Sequence, residues 1–331
     1  MYNFNKLSLT VAALFLLAAS TAGAQTASPD SGPSYPARPL RMVVGAATGG
    51  TPDILGRIVG QKLTEQLGQP VIVDNRPGAT GNIGADVVAK AAPDGHTMIM
   101  ATSVLSISPA FYKSLPFDPL TGLAPVSQLV SQAMFLLVPA ELGVKSVAEI
   151  LKLAKAKPQL LNYASIGNGS PQHVASELLQ INAGVKFVHV PYKSGGQMVT
   201  ALLSNESQLM FLGLSPALGQ VKAGRLRVLA VASGKRSATA PEVPTFAEAG
   251  VPGVVMDNWL GVLTTGGTPK PVIDKLHAEL MKAVRAPDSA ERLAQQHLEI
   301  TASSPAEFAA FFKAEIAKVA KVVRTAGIEP Q

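Results

Sequence analysis

The residues best placed for chemistry in this sequence are glycines and one acid in a loop between a strand pattern and a helix pattern. The apolar run Leu40–Val44 leads into Gly45, Gly49 and Gly50, and Asp53 follows at the start of an apolar pattern of helical period. Glycines let the backbone approach a ligand, and the first N–H groups of a helix have no partner within it. Because the helix dipole adds partial positive charge there, this first glycine loop (residues 45–50) predicts an anion-binding site.

The first glycine loop does not match a nucleotide-binding motif. Gly45 and Gly50 have the spacing of a P-loop, but Thr51 and Pro52 stand where that loop needs Lys and Ser or Thr. The sequence also has no G-x-G-x-x-G. A lone loop of this kind is more often an ordinary strand-to-helix turn, so the interpretation depends on whether the pattern recurs.

The pattern recurs in the second half of the chain. A strand pattern at residues 160–164 is followed by the second glycine loop (residues 165–171, SIGNGSP) and then by a helix pattern at 172–183. Ser170 is a suitable N-cap, and Pro171 fits the first helical position. The repetition favours two anion-binding loops that face one ligand.

Strand and helix patterns alternate around these loops, and 47% of the 331 residues are hydrophobic. The β-branched run 71–73, the helix 85–92 and the strand 97–102 follow one another with strong turn residues between them. Such alternation predicts α/β lobes, each with a parallel sheet covered by helices.

Two apolar extended segments, residues 126–138 and 257–263, predict crossover strands between two lobes. One lobe would comprise residues 36–132 plus 260–331, and the other residues 133–259. A chain that crosses twice in this way suits a clamp with a cleft at the strand ends, closing by hinge motion.

The N-terminus has the pattern of an export signal. Lys6 precedes the apolar run 9–19, and Ala22-Gly23-Ala24 is a small-x-small cleavage site. We therefore predict a signal peptide over residues 1–24 and a flexible mature terminus over 25–35. A retained membrane anchor is the alternative, although the run is short for a membrane span.

The composition excludes disulfide bonds and argues against nucleic acid as a partner. The chain has no cysteine, so the fold must be held by core burial without disulfides. Its net charge of +6 is dispersed, without a basic run interleaved with aromatics, which argues against nucleic-acid binding. A mild positive field favours the arrival of a small anion.

Some residues have the spacing of a metal site or a catalytic dyad, but the further residues that such sites need are not evident. His173 and Glu177 have metal-ligand spacing, but no third ligand is evident. Ser165 or Ser170 beside His173 imitates a dyad, yet the sequence has no G-x-S-x-G and no evident orienting acid. We therefore predict no metal, no cofactor and no enzyme activity.

A series of short motifs carries a resemblance to a known family over nearly the whole chain. These motifs are YPARPLR from residue 35, GGTPD from 49, DNRPG from 74, PDGHT from 93, LPFDP from 115, YAS from 163, GNGS from 167 with His173, HVPYK from 189, PEVPT from 241 with EAG from 248, WLG from 259 and GTP from 267. In this order they resemble the substrate-binding receptors of tripartite tricarboxylate transporters, the Bug family of periplasmic binding proteins.

The resemblance implies a type II periplasmic-binding-protein fold with two α/β lobes. It also implies a periplasmic receptor that binds a small carboxylate and delivers it to membrane permease subunits, and we expect a monomer. In the family the acid at Asp53 positions water. The implied ligand-binding residues are Thr48, Gly49, Gly50, Thr51, Asp53, Thr102, Ser103, Ser165, Gly167, Gly169, Ser170, His173, Gly213 and Ser215.

Two departures from the family pattern leave the ligand open. Gly45-Ala46-Ala47-Thr48 replaces the usual run of Pro, an aromatic residue and Pro, which predicts a smaller side-chain wall. Ile166 stands where a small residue is common, which narrows the second glycine loop. There are two alternatives to a transport receptor. One is a receptor that delivers its signal to a sensor protein, and the other is an exported enzyme with the same fold.

Overall fold

The computed structural model describes residues 35–157 and 160–330. The predicted signal peptide and nearly all of the predicted flexible terminus lie outside the described residues. The strands, in chain order, are β1 (Leu40–Val44), β2 (Val71–Asn75), β3 (Thr97–Thr102), β4 (Leu123–Gln132), β5 (Phe135–Pro139), β6 (Asn162–Ser165), β7 (Val188–Pro191), β8 (Leu209–Leu212), β9 (Leu226–Val231), β10 (Asn258–Thr265) and β11 (Glu299–Ile300). The α-helices are α1 (Thr51–Leu67), α2 (Asn82–Ala89), α3 (Val104–Phe111), α4 (Val147–Ala156), α5 (Pro171–Ala183), α6 (Gly195–Leu203), α7 (Leu218–Lys222), α8 (Lys270–Arg285), α9 (Pro287–Gln295) and α10 (Pro305–Ala326).

The first sheet has the strand order β11-β4-β10-β3-β1-β2. Strand β1 is parallel to its neighbours β2 and β3, and the remaining pairs are antiparallel. The prediction of a parallel sheet is therefore correct for β1, β2 and β3 and wrong for the rest. The antiparallel strands β4 and β10 are the ones that carry the chain out of this sheet and back into it.

The position of β1 between β2 and β3 creates a crevice. Helix α1 leads from β1 to β2, and the segment containing α2 then returns past β1 to β3. Ligands of open α/β sheets bind where such connections diverge, at the carboxyl ends of the strands. Here that point lies between the ends of β1 and β3, directly at the first glycine loop.

The second sheet has the order β7-β6-β8-β5-β9, with β6 parallel to both β7 and β8. The second glycine loop begins at the carboxyl end of β6 and leads into α5, as predicted. Ser170 caps α5 by accepting a hydrogen bond from the His173 N–H, at 3.2 Å. The two glycine loops therefore occupy equivalent places in two related sheets.

The chain crosses between the sheets twice, as predicted. The first crossing lies at Ala133 and Met134, between β4 and β5, so the apolar run 126–138 is two strands rather than one. The return runs from the end of β9 to β10, where the buried Trp259 contacts Phe308 and Phe312 edge-on.

The last helix, α10, packs on the cores of both sheets. Its Phe308 and Phe312 belong to the core beside β3 and β10. Val319 and Val323, further along, pack with residues of the second sheet and of α5. Helix α10 therefore contacts both lobes. The lobe limits predicted from the sequence, at residues 132/133 and 259/260, remain a prediction.

Gly45 is held in close backbone contact with Gly81, so a side chain at residue 45 has no room. A Cβ there would lie 2.8 Å from the Gly81 Cα and 3.0 Å from the Gly81 carbonyl oxygen. We expect Gly45→Ala to lower the free energy of unfolding by about 1–3 kcal/mol, as overpacking does, in a urea titration.

Gly219→Ala is the matched control, because a Cβ at helical Gly219 would meet no atom within 4 Å. It should leave stability unchanged or raise it by about 0.5–1 kcal/mol through helix propensity. Equal stability of the Gly45→Ala variant and the wild type would contradict the close contact.

Candidate ligand-binding site

A cavity of about 310 Å³ lies at the carboxyl ends of β1 and β3. We call it the β1–β3 cavity. Its lining residues are Gly45, Ala46, Pro52, Thr80, Gly81, Asn82, Ile99, Met100, Ala101, Thr102, Val104, Leu105 and Ile166. The volume lies at the lower end of the range for small-molecule sites.

Three helices begin at the β1–β3 cavity. Pro52 lies in the first turn of α1, Asn82 is the first residue of α2, and Val104 is the first residue of α3. The first N–H groups of α2 and α3 lack helical acceptors, whereas Pro52 of α1 has no N–H; all three dipoles place partial positive charge at the N-termini. The cavity lining includes no charged side chain, so its attraction for an anion comes from backbone and amide dipoles.

Asn82 is the one amide side chain among the residues that line the cavity. The residue is 5% exposed, and its Nδ2 makes no hydrogen bond to any described residue. Buried polar groups are nearly always hydrogen-bonded, so this unpartnered amide sets Asn82 apart from the other residues that line the cavity.

Asp53 is enclosed by the protein itself. Its Oδ2 accepts hydrogen bonds from the Gly49 N–H at 2.9 Å and the Arg57 Nε at 3.1 Å, and its Oδ1 accepts from Asn75 Nδ2 at 3.0 Å. Burial opposes ionisation of this carboxyl, but the donors from Arg57, Gly49 and Asn75 outweigh burial and lower its pKa. With both oxygens occupied, Asp53 fixes the shape of the first glycine loop.

The other predicted residues of the first glycine loop lie around the cavity mouth rather than in its wall. Thr48 and Gly49 are exposed, while Gly50 and Thr51 are half-buried at the start of α1, where Gly50 is the N-cap. Among all the predicted site residues, Thr102 is the one that lines the β1–β3 cavity. The remaining ones lie in the two glycine loops, in the first turns of α1 and α5, or after the ends of β3 and β8.

The second glycine loop is held by Ser165, which is fully buried. Its Oγ accepts a hydrogen bond from the Gly167 N–H at 2.9 Å and lies 2.6 Å from His189 Nε2. Gly169 has a positive φ of 71°, and its N–H donates to His173 Nδ1 at 3.2 Å. These side chains shape the loop from beneath, while Ile166 from the same loop reaches the β1–β3 cavity.

His173 and His189 form a buried stack under the second glycine loop. Their ring centroids are 4.5 Å apart, and Tyr163 stacks on His189 at 4.7 Å. Burial, together with the neighbouring His189, lowers the pKa of His173 to about 4, and burial lowers the pKa of His189. Because Nδ1 of His173 is an acceptor, its proton resides on Nε2, which faces Glu177 Oε1 at 3.9 Å.

Ser103 follows the end of β3, and Gly213 and Ser215 follow the end of β8. The buried Ser103 donates its hydroxyl to Asn258 Oδ1 at 2.9 Å, and Asn258 Nδ2 lies 3.4 Å from Gln132 Oε1. A Cβ on the buried Gly213 would meet this Gln132 side chain at 3.0 Å. Ser103 and Gly213 thus belong to a contact between the ends of the two sheets, whereas Ser215 is exposed.

The sequence-based list missed the turn that precedes α2. Thr80 and Gly81 line the β1–β3 cavity, and both Ala79 and Thr80 have positive φ, at 45° and 55°. Such φ values are uncommon outside glycine and concentrate at functional sites. The glycine-rich run from Ala79 to Gly84 is the sequence signal that pointed to this turn.

A larger groove of about 500 Å³ lies elsewhere, lined by Ala154, Lys155, Gln180, Ile181, Gly184, Val185, Lys186 and Thr325. None of its lining residues belongs to either glycine loop. None of them is the first residue of a helix. The smaller β1–β3 cavity is therefore the better candidate, since convergent donors rather than volume define an anion site.

The described residues contain no group of three or more His, Cys, Asp or Glu side chains placed to hold a metal ion. Across residues 35–157 and 160–330, no helix is long and apolar enough to cross a membrane.

Two α/β lobes with glycine loops at the strand ends define the class of solute-binding proteins. Residues 55–328 match the model of the tripartite tricarboxylate transporter family receptor, and the chain belongs to that family. Its family and structural neighbours are solute-binding receptors rather than enzymes.

Individual relatives agree with this assignment. Protein BugT of Bordetella pertussis is 34% identical, covering 96% of this chain and 97% of its own. A protein of R. palustris solved with adipate is 34% identical with a TM-score of 0.76, covering 90% of this chain and 100% of that one. MatC of Rhodopseudomonas palustris, solved with bound malate, is 29% identical with a TM-score of 0.73, covering 87% and 100%.

The buried histidine stack predicts a loss of stability at acid pH. The pKa of His173 is about 4 in the folded chain against an ordinary value of 6.5, so the unfolded chain binds the proton first as pH falls. Between pH 7 and pH 4 this residue alone should lower the free energy of unfolding by about 3 kcal/mol.

His173→Asn isolates this contribution, because the amide oxygen can still accept from the Gly169 N–H but cannot be protonated. In urea titrations from pH 7 to pH 4, the stability difference between wild type and variant should shrink by about 3 kcal/mol. A constant difference across that range would show that His173 is not held neutral.

Proposed function

We propose that this protein is a periplasmic receptor that captures a small carboxylate in the cleft at the β1–β3 cavity. The single observation that carries the proposal is the convergence of three helix N-termini on one cavity, with the orphaned Asn82 amide in its wall. Preorganised neutral donors bind an anion without the desolvation cost of a buried cation.

The ligands of relatives support a carboxylate. Two solved neighbours hold adipate and malate, and both molecules are carboxylates. Carried to this chain, the carboxylate would lie against the first turns of α1, α2 and α3. Its body would extend past Thr102 toward Ile166.

The second glycine loop would complete the site from the other lobe. We place residues 36–132 plus 260–331 in one lobe and 133–259 in the other, with the crossings as the hinge. Ser165, Gly167, Gly169, Ser170 and His173 hold the loop in its shape through hydrogen bonds within the loop and the first turn of α5. Asp53 does the same for the first loop, with Thr48, Gly49, Gly50 and Thr51 at the mouth.

Export and delivery complete the proposed role. Cleavage after about Ala24 would release a monomeric mature protein into the periplasm, where it would hand its ligand to membrane permease subunits. Membership of the tripartite transporter receptor family supports this partner.

A thermal-shift screen of residues 25–331 against carboxylates and neutral analogues tests the proposed function. A carboxylate at a hundred times its dissociation constant should stabilise the protein by about 2.7 kcal/mol and be recovered unchanged. A response to neutral compounds alone, or consumption of the ligand, would overturn the proposal.

Asn82→Ala should weaken binding of the carboxylate found in that screen by about tenfold, since a hydrogen bond to a charged group contributes about 1.5–3 kcal/mol. Asn182→Ala is the control, because Asn182 is exposed on α5 and donates only to the Leu178 carbonyl. Calorimetric titration of both variants gives the two dissociation constants. Equal affinities would remove Asn82 from the site.

The salt dependence of ligand affinity tests whether neutral donors or charged side chains hold the carboxylate. Because backbone and amide donors carry no net charge, raising salt from about 20 to 150 mM should weaken binding by less than about threefold. A tenfold or steeper loss would instead assign the anion to a cation such as Arg76 or Lys193.

A further inference from the structure

The turn formed by Ala79, Thr80 and Gly81 carries backbone strain at the wall of the β1–β3 cavity. Thr80 and Gly81 line the cavity, and Ala79 and Thr80 have φ values of 45° and 55°. A Cβ crowds the backbone in this left-handed region, so residues other than glycine adopt it only where their surroundings hold them there. The position of this part of the cavity wall therefore depends on the contacts of the turn with the rest of the chain.

Tyr112 supplies such a contact from outside the turn. Its phenolic oxygen lies 3.1 Å from Thr80 Oγ1. The Thr80 hydroxyl donates its proton to the Ala79 carbonyl oxygen at 2.7 Å, so the hydroxyl of Tyr112 is the donor in the contact between the two side chains. Thr80 thus spends its own proton within the turn and accepts one from Tyr112.

The end of α3 determines where the Tyr112 hydroxyl lies. Tyr112 follows Phe111, the last residue of α3, and donates its backbone N–H to the Ser108 carbonyl oxygen at 3.1 Å. Phe111 is buried against the second glycine loop, because a Cβ on Gly169 would lie 3.2 Å from Phe111 Cγ and the rings of Phe111 and His173 have centroids 5.4 Å apart. The Tyr112 ring is half-buried and packs on the same apolar core as Phe111.

The two ends of α3 therefore contact both halves of the candidate site. Val104 and Leu105 at its start line the β1–β3 cavity, while Phe111 at its end packs on the second glycine loop. A helix of eight residues is about 12 Å long, so a short segment joins the two places. Tyr112 extends this segment to the turn before α2.

We propose that Tyr112 is a positioning residue of the ligand-binding site, whose hydroxyl holds the turn Ala79–Gly81 in the shape that completes the β1–β3 cavity. This proposal rests on the proposed function and adds to it a residue that does not itself line the cavity. Tyr112 acts through Thr80. Loss of its hydroxyl lets the turn leave its strained conformation, which removes part of the cavity wall and weakens binding.

Amide hydrogen exchange in ligand-free protein, residues 25–331, tests the contact in Tyr112→Phe. The Gly81 N–H donates to the Gly78 carbonyl oxygen at 2.9 Å within the turn. We expect this N–H to exchange at least about threefold faster in the variant than in the wild type, because the turn opens more often. Tyr192→Phe is the matched control, since it removes the same kind of hydrogen bond, between Tyr192 Oη and Ser207 Oγ at 3.0 Å, away from the cavity. An unchanged exchange rate of Gly81 in Tyr112→Phe would overturn the proposal.

Calorimetric titration with adipate, or with the carboxylate that the thermal-shift screen selects in its place, measures the effect on the site. Tyr112→Phe should bind about three- to tenfold more weakly than the wild type, the size expected for one neutral hydrogen bond, and Tyr192→Phe should bind as the wild type does. Thr80→Ala removes the acceptor, so adding Tyr112→Phe to it should change the affinity by less than about twofold. Losses that multiply in the double variant would show that Tyr112 does not act through Thr80.

The outcomes separate this proposal from the proposed function. If the wild type binds a carboxylate and Tyr112→Phe binds it equally tightly, Tyr112 is not a positioning residue and the carboxylate receptor stands. If the wild type binds no carboxylate, the proposed function is wrong and the positioning of a carboxylate site falls with it. Because Tyr112→Phe and Tyr192→Phe each lose one hydroxyl contact, a general loss of stability would affect both variants, and only Tyr112→Phe should lose affinity.

Discussion

The convergence of three helix N-termini on one apolar cavity is the interaction on which the site depends. It follows from topology, because β1 lies between two parallel neighbours and its connections leave in opposite directions. The backbone contact of Gly45 with Gly81 then brings the loop after β1 against the turn before α2. Without that contact, the positive ends of the helices would be separated and solvated rather than directed at one ligand.

Charged side chains support this site indirectly, by fixing the loops rather than by lining the cavity. Asp53 is neutralised by Arg57 and by neutral donors, so its negative charge does not repel an arriving anion. The second glycine loop uses a different device, a neutral stack in which His173 and His189 hold Gly169 and Ser165. Both sets of side chains fix the backbone of their loop and leave the cavity lining without a charged side chain. This arrangement suits a receptor that must also release its ligand.

Local signals in the sequence predicted much of this arrangement. Both strand–loop–helix units, the Ser170 cap, the two crossings and the start of α10 at Pro305 follow from turn residues, capping preferences and apolar periodicity. The contents of the cavity wall could not be predicted in the same way. The turn at Thr80 and the start of α3 at Val104 reach the site only because β2 and β3 lie on opposite sides of β1. The contact of Ser165 with His189 joins two strands 24 residues apart in the sequence, and the enclosure of Asp53 depends on Asn75 at the end of β2.

The measurement that tests the central claim most directly is an amide-resolved NMR titration of residues 25–331 with the carboxylate that stabilises the protein in the thermal-shift screen. The account predicts that backbone N–H resonances in the first turns of α1, α2 and α3 shift together with one dissociation constant. Those at the start of α8, which begins at Lys270 away from the cavity, should not move. Shifts confined to the second glycine loop, or scattered over the surface without a common constant, would contradict the convergent anion site.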